Sequence, residues 1–165
     1  MTMSSRPFTR PTAADLERWA GRYARVALGA AFLSGVAARF GLWGDRSNWK
    51  TFADFVRYTG EVNSFMPAAA IPFLAWAATA LELGLGIALV LGIRPRVTAL
   101  ASAALLALFG TAMAISFGIK SPLDYSVFSA SAAALLLALR HPPTIVAGRE
   151  RSTLAPPTHT TQEIA

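Results

Sequence analysis

The segment Ala68-AAIPFLAWAATALELGLGIALVLG-Ile93 decides the class of this protein. At ~1.5 Å per residue, a helix over these apolar residues is long enough to cross the ~30 Å hydrocarbon core of a bilayer. Glu82 lies near the middle of the segment. A carboxyl group at that depth is energetically costly, so it is retained only where a partner or a reaction uses it. The sequence therefore predicts an integral membrane protein with Glu82 as its leading site candidate.

The composition of the whole chain supports this class. Hydrophobic residues make up 54% of the 165 residues, charged residues make up 15%, and the mean hydropathy is +0.45. A soluble domain would carry about a quarter charged residues. The net charge of +6 comes from basic residues that flank the apolar runs, as topology determinants do. We therefore expect the lipid bilayer, and no nucleic acid, as a partner.

Several kinds of redox and metal site are excluded by the residues that the sequence lacks. The chain has no cysteine, so thiol exchange and thiolate metal sites are ruled out. Its two histidines, His141 and His159, follow the last apolar run, which rules out histidine-ligated haem between the helices. Any redox group must therefore come from a ligand or a partner protein.

Four apolar runs divide the chain, at residues 26–43, 68–93, 98–117 and 123–139. Each has a length typical of a spanning helix. The predicted fold is therefore all-α, an integral membrane four-helix bundle. Ten Lys and Arg residues lie on one side of these runs and four on the other. By the positive-inside rule, this is a multi-pass membrane protein with both termini in the cytoplasm.

The chain is accordingly divided into residues 1–21, a cytoplasmic N-terminal segment; 22–140, the membrane domain; and 141–165, a disordered cytoplasmic tail rich in proline. Thr12 to Asp15 resembles a capping box that opens a helix entering the membrane. Acidic residues in this long polar stretch argue against a cleaved signal peptide. Three arginines of this helix share one face suited to anionic lipid headgroups: Arg18, Arg22 and Arg25.

Local residue patterns predict the ends and contacts of the spanning helices. Ser121 is expected to cap the last span, with Pro122 at its first position and Asp124 at its third. Small residues recur at intervals of four, as at Gly84 and Ala88, and are expected to let helices approach closely.

The first outer loop, residues 44–66, is predicted to contain an amphipathic helix at the membrane interface that ends at Gly60. Its apolar stripe is Trp49, Phe52, Phe55, Val56 and Thr59. The favoured interpretation is a helix that packs against the bundle. The alternative is a lid over a site for a lipid-soluble ligand.

The chain resembles the DoxX family of small four-span bacterial membrane proteins. Roughly residues 22–140 carry the resemblance, which includes the outer helix and three longer segments: Ala27-LGAAFLSGVAARFGLWG-Asp45, Asn63-SFMPAAAIPFLAWAATALELGLGIALVLGIRPR-Val97 and Gly118-IKSPLDYSVFSASAAALLLAL-Arg140. The family is related to DoxD, the small subunit of thiosulfate:quinone oxidoreductase. The resemblance implies quinone as the candidate ligand and a soluble oxidoreductase or another membrane subunit as the candidate partner.

Two charged residues are the main candidates for a ligand site. Glu82 is interpreted either as a neutral acid that donates a hydrogen bond to Ser131 or Thr111, or as a proton acceptor and partner for a ligand headgroup. Arg39 lies about 6 Å inside the outer end of the first span. Its favoured orientation is outward, with the guanidinium at the interface, and the alternative is inward, toward Glu82.

Two aromatic residues complete the candidate ligand site. Trp76 is placed near Glu82 and Arg39 in a possible quinone site. Tyr125, like Trp76, is more simply an interfacial anchor. Asp124 is assigned to the dipole of its helix rather than to function.

Two classes of function follow from these residues. In the first, the chain is the membrane subunit of a quinone-linked redox system and acts with a partner. In the second, it is a non-catalytic membrane anchor or a small lipophile-binding protein, in which Glu82 fixes packing. The sequence shows no set of residues that would form a catalytic site without a partner.

Overall fold

The structure, a computed structural model, describes residues 12–47 and 49–140, and all regular secondary structure in these ranges is helical. The predicted all-α class is therefore confirmed for these residues. The predictions for the first 11 residues, for the tail from 141 onward and for His141 and His159 lie outside the described residues. The α-helices are α1 (Ala13–Arg39), α2 (Phe52–Val62), α3 (Ile71–Leu91), α4 (Pro95–Phe117), α5 (Lys120–Asp124) and α6 (Val127–Leu139).

Helix α1 begins with the predicted capping box, in which the side chains of Thr12 and Asp15 each accept a hydrogen bond from the other's backbone N–H. The helix is continuous from Ala13 into the first apolar run, so no structural break falls at the predicted boundary between residues 21 and 22. The apolar run predicted that this helix would end at Trp43, but it ends at Arg39. Gly41 has a φ of +71°, and this left-handed residue turns the chain out of the helix.

The amphipathic helix predicted for residues 44–66 is α2, which starts after a second capping box formed by Thr51 and Asp54. The prediction that Gly60 ends this helix is wrong. Gly60 lies within α2, and the C-terminal cap is Asn63, whose backbone N–H donates to the carbonyl of Thr59. The extra turn carries the helix on to Val62, which is buried.

Helices α3 and α4 are both long and apolar enough to cross a membrane. With the 3-10 turn Ala68–Ala70, α3 forms a stretch of 24 residues with a mean hydropathy of 1.9, and α4 has 23 residues and a mean hydropathy of 2.0. Each has a proline in its first turn, where the missing N–H has no partner to lose. Gly92, with a φ of +73°, ends α3.

The fourth apolar run forms two helices, and its prediction as one helix over residues 123–139 is wrong. Ser121 does not cap it, because Ser121 lies inside the short helix α5. Ser126 has a φ of +54° and separates α5 from α6. Asp124 forms an ion pair with Lys120, with 2.5 Å between Oδ2 and Nζ. Helix α6 alone is about 20 Å long.

The long helices pack in pairs. Helix α1 lies mainly against α3, and α4 lies mainly against α6, while looser contacts join α1 to α6 and α3 to α4. Helix α2 lies against α3, α4 and the end of α1. The buried core contains residues from all four long helices: Phe32, Leu89, Ala99, Leu105, Leu137 and Ala138. The looser contact between α3 and α4, beside α2, leaves the space in which the candidate site lies.

Candidate functional site

Glu82 and Arg39 form a buried ion pair. The distance from Arg39 Nη2 to Glu82 Oε1 is 2.5 Å, and each side chain is only 6% exposed. The favoured outward orientation of Arg39 is therefore wrong, and the inward alternative is confirmed. Ser131 and Thr111 are not the hydrogen-bond partners of Glu82. Their hydroxyls donate instead to the carbonyls of Ala103 and Ala107.

The pairing follows from the way in which α1 and α3 lie side by side in opposite directions. Going along α1, Gly29 faces Gly86, Gly35 faces Glu82, and Arg39 reaches Thr79. A Cβ atom at Gly35 would be only 3.3 Å from Glu82 Oε2. A glycine at this position therefore leaves room for the carboxylate between the two helices.

The guanidinium of Arg39 has two further contacts besides Glu82. Its Nη1 donates to Thr79 Oγ1 at 2.9 Å, and its Cζ lies 3.8 Å from the centroid of the Phe55 ring. The latter is a cation–π contact between α1 and α2. The Arg39 Nε is buried and has no hydrogen-bond partner among the described residues. The ion pair thus joins α1, α3 and α2 while one donor of the guanidinium stays unsatisfied.

A cavity of about 620 Å³ adjoins this ion pair. Arg39 and Glu82 line it, and most of its other walls are apolar side chains of α3 and α4. These include Leu74, Leu81, Leu105, Phe109, Met113 and Ile115. Small-molecule sites have volumes of about 300–1,000 Å³ and combine apolar walls with a few polar groups. This cavity therefore has the size and lining of a site for an apolar molecule with one polar end.

Helix α2 covers part of the cavity with Phe55, Tyr58, Thr59 and Val62. Burial is the main cause that raises the pKa of the half-buried Tyr58 phenol above its usual range. The end of α2 is tied to α4 by Ser116, whose hydroxyl donates to the Val62 carbonyl at 2.6 Å. Helix α2 is thus placed as a cover over the cavity and held at its C-terminal end.

Trp76 and Tyr125 do not line this cavity. Trp76 packs on Phe52, with 4.3 Å between ring centroids, and also contacts Phe40. Tyr125 is 70% exposed. The structure therefore brings Glu82 and Arg39 together and leaves the two aromatic candidates outside the site. The prediction that Trp76 joins them in one site is wrong for this cavity.

The sequence reasoning missed Thr79 and the role of Phe55. Thr79 precedes Glu82 by three residues, so the two side chains share a face of α3, a spacing that could have identified it. Phe55 belongs to the predicted apolar stripe of α2, but nothing in the sequence shows that its ring lies over a guanidinium. Within the ranges that the structure describes, no three His, Cys, Asp or Glu residues cluster as a metal site would require.

The arrangement offers both kinds of hydrogen-bonding group to a ligand. The guanidinium supplies donors, and the carboxylate supplies an acceptor that can also take up a proton. The sequence matches no family model, and its comparison with curated proteins and with solved structures gives no significant match. The resemblance to the DoxX family therefore stays a prediction.

Proposed function

We propose that this chain is a membrane-embedded four-helix protein in which α1, α3, α4 and the α5–α6 pair cross the bilayer. Large apolar side chains of α3, α4 and α6 are exposed, which is unfavourable in water and suits a lipid surface. They include Phe73, Leu91, Leu108, Ile115, Leu136 and Leu139. The positive-inside rule places both termini in the cytoplasm and α2 at the outer face.

Within this membrane protein, the cavity beside Arg39 and Glu82 binds a lipophilic molecule of the quinone class. The observation that carries the proposal is the placement of one buried ion pair at the wall of a largely apolar cavity. A quinone has an apolar tail and ring oxygens that accept hydrogen bonds, and its reduced form has hydroxyls that donate them. Arg39 and Glu82 match these two needs with a donor and an acceptor.

The chain then acts as the membrane subunit of a redox system. Conversion of quinol to quinone releases two electrons and two protons. The electrons pass to a partner oxidoreductase, Glu82 accepts one of the protons and the other passes to solvent water, while Arg39 donates a hydrogen bond to a ring oxygen. Quinone reduction follows the same steps in reverse. The resemblance to the DoxX family and the lack of cysteine in the chain support a role that depends on a partner.

The proposal is tested by measuring binding of a short-chain quinone to the full chain in lipid discs. Ala78 lines the cavity, so Ala78→Phe fills part of it while keeping both charged residues, and it should weaken binding at least tenfold. Ala80 is exposed on the same helix and does not line the cavity, so Ala80→Phe is the matched control and should bind as wild type does. Glu82→Gln and Arg39→Gln should also weaken binding.

The second candidate is a non-catalytic anchor in which the ion pair fixes the packing of α1 on α3. The direct 2.5 Å contact between Arg39 and Glu82 favours it, because each charge already has its counter-charge without any ligand. Absence of quinone binding by wild type, together with a loss of stability in Glu82→Gln and in Arg39→Gln, would leave this candidate alone.

A further inference from the structure

A second cavity, of about 410 Å³, lies at the other end of α1, between its N-terminal half and the end of α6. Four of its lining residues are arginines and one is acidic: Arg18, Arg22, Arg25, Arg140 and Glu17. Gly21 makes room for this cluster, since a Cβ atom there would be 3.4 Å from Arg140 Nη1. The surplus of positive charge suits an anionic group.

Two of these arginines already have carboxylate partners. Arg18 forms an ion pair with Asp15, and Arg140 Nη2 lies 3.7 Å from Glu17 Oε2. Arg22 and Arg25 form no ion pair among residues 12–47 and 49–140. Arg22 instead lies over the Trp19 ring, 5.6 Å from the centroid.

Arg25 is the deepest-set charge of the cluster. Its Nε is buried and has no hydrogen-bond partner within the described part of the chain. Its guanidinium is packed against the end of α3, where a Cβ atom on Gly92 would be 2.7 Å from Nη1. A buried guanidinium donor without an acceptor is costly, and a bound anion would satisfy it.

We infer that this cavity binds the phosphate headgroup of an anionic phospholipid from the cytoplasmic leaflet. The apolar surface beside it selects a lipid over a soluble phosphate. Tyr23 and Val26 on α1, and Leu136 and Leu139 on α6, are exposed close to the arginines in sequence and can cover acyl chains. Basic pockets between helices on the cytoplasmic side bind such headgroups. The inference rests on the membrane placement proposed above and not on the quinone cavity.

The test uses native mass spectrometry of the full-length protein after its extraction from vesicles of phosphatidylglycerol and phosphatidylcholine. It measures how much of each lipid the protein retains. Wild type should retain phosphatidylglycerol in preference. Arg25→Gln should lower this retention at least fivefold, because one basic group near an anionic headgroup contributes about a factor of five to binding. Arg25→Lys keeps the charge and should keep part of the retention. Arg57→Gln, on the outer helix, is the matched control and should change nothing.

Gly21→Leu keeps every charge but fills the cavity, so it should also lose the preference while the helical content stays that of wild type. Millimolar inorganic phosphate should not displace the lipid. Equal retention by wild type and Arg25→Gln, or a preference that survives Gly21→Leu, would overturn the inference. Displacement by inorganic phosphate would show a site for free phosphate and would overturn it as well. The amount of each variant in the membrane fraction is measured as well. A variant that is absent from this fraction has failed to insert into the membrane, which is a different result from a loss of lipid binding.

Discussion

Gly29 of α1 and Gly86 of α3 lie directly against each other. A Cβ atom on Gly29 would be 2.9 Å from the Gly86 carbonyl oxygen, and one on Gly86 would be 3.2 Å from the Gly29 carbonyl oxygen. This contact lets α1 and α3 approach closely enough for Arg39 to reach Glu82. Gly84 and Ala88 are among the small residues at which the sequence pattern predicts close approach of helices. Gly84 has no atom within 4 Å of where its Cβ would lie, so it is not the contact point.

Gly29→Ala is expected to destabilise the protein by about 1–3 kcal/mol, because its methyl group would overlap the Gly86 backbone and the Val90 side chain. The matched control is Gly84→Ala, which meets open space and should be neutral or slightly stabilising through helix propensity. Unfolding in mixed micelles, followed by circular dichroism, measures both. Equal stability of the two variants would contradict the assigned contact.

Removal of one member of the buried ion pair is expected to cost about 3–5 kcal/mol of stability, because the other charge is left without a partner. The interpretation of Glu82 as a neutral acid predicts instead that Glu82→Gln folds nearly as well as wild type. The direct contact with Arg39 reverses that expectation. Glu82→Lys should not accumulate at all, since it places two cations together at this depth.

The double variant Arg39→Gln with Glu82→Gln separates pairing from the simple loss of two polar groups. It should be more stable than the sum of the single losses predicts, because neither charge is left alone. Stability is measured by the same unfolding assay. Additive losses would show that the two residues act independently and that the contact contributes little.

The sequence identified Glu82 and Arg39 but favoured the wrong orientation for Arg39, and helix geometry gives the reason. Side chains on a helix tilt toward its N-terminus. Arg39 is at the end of α1, so its side chain leans back along the helix. Glu82 is on α3, which runs in the opposite direction, so its side chain leans toward Arg39. A position for Arg39 that is based on helical rise alone, about 6 Å inside the outer end of its span, takes no account of these tilts.

The break in the fourth apolar run could not be predicted from the residues around it. Ser126 adopts a φ of +54°, which favours glycine, and neither neighbour is a glycine or a proline. The starts of α1 and α2, by contrast, can be predicted from neighbouring residues, at the capping boxes that begin with Thr12 and Thr51. Both place an aspartate three residues after a threonine, a local pattern that is sufficient to start a helix.

The proposed orientation predicts that α2 is outside the cell and the start of α1 is inside. The lack of native cysteine allows single cysteines at Ala53 and Ala14, which are both exposed, to report this. An impermeant thiol reagent should label Ala53→Cys on intact cells and Ala14→Cys only after permeabilisation. Ala53 is preferred to Thr59 of the same helix, because Thr59 is buried and would react poorly. The reverse labelling pattern would invert the topology.

The start of α2 should lose stability in acid. Hydrogen bonds, chiefly from the Thr51 side chain, hold the pKa of the Asp54 carboxyl below its usual range. Because the folded pKa is lowered, this stabilisation is present above the unfolded pKa, at about pH 4, and is lost as the pH falls through the folded value. Amide exchange of α2, corrected for intrinsic rates, should therefore quicken in acid. Thr51→Val should weaken this pH dependence, and an unchanged dependence would contradict the assignment.

Ser116 is expected to hold the cover of the cavity in place. Its hydroxyl donates to the Val62 carbonyl at 2.6 Å and lies 3.0 Å from Ser64 Oγ, so it ties the last turn of α2 to α4. Ser116→Ala removes about 1 kcal/mol of this restraint, which corresponds to roughly fivefold faster amide exchange at Asn63. The matched control is Ser102→Ala, because Ser102 donates within α4 to the Thr98 carbonyl. If the Ser116→Ala and Ser102→Ala variants show the same exchange at Asn63, the end of α2 is held by its apolar contacts and not by Ser116.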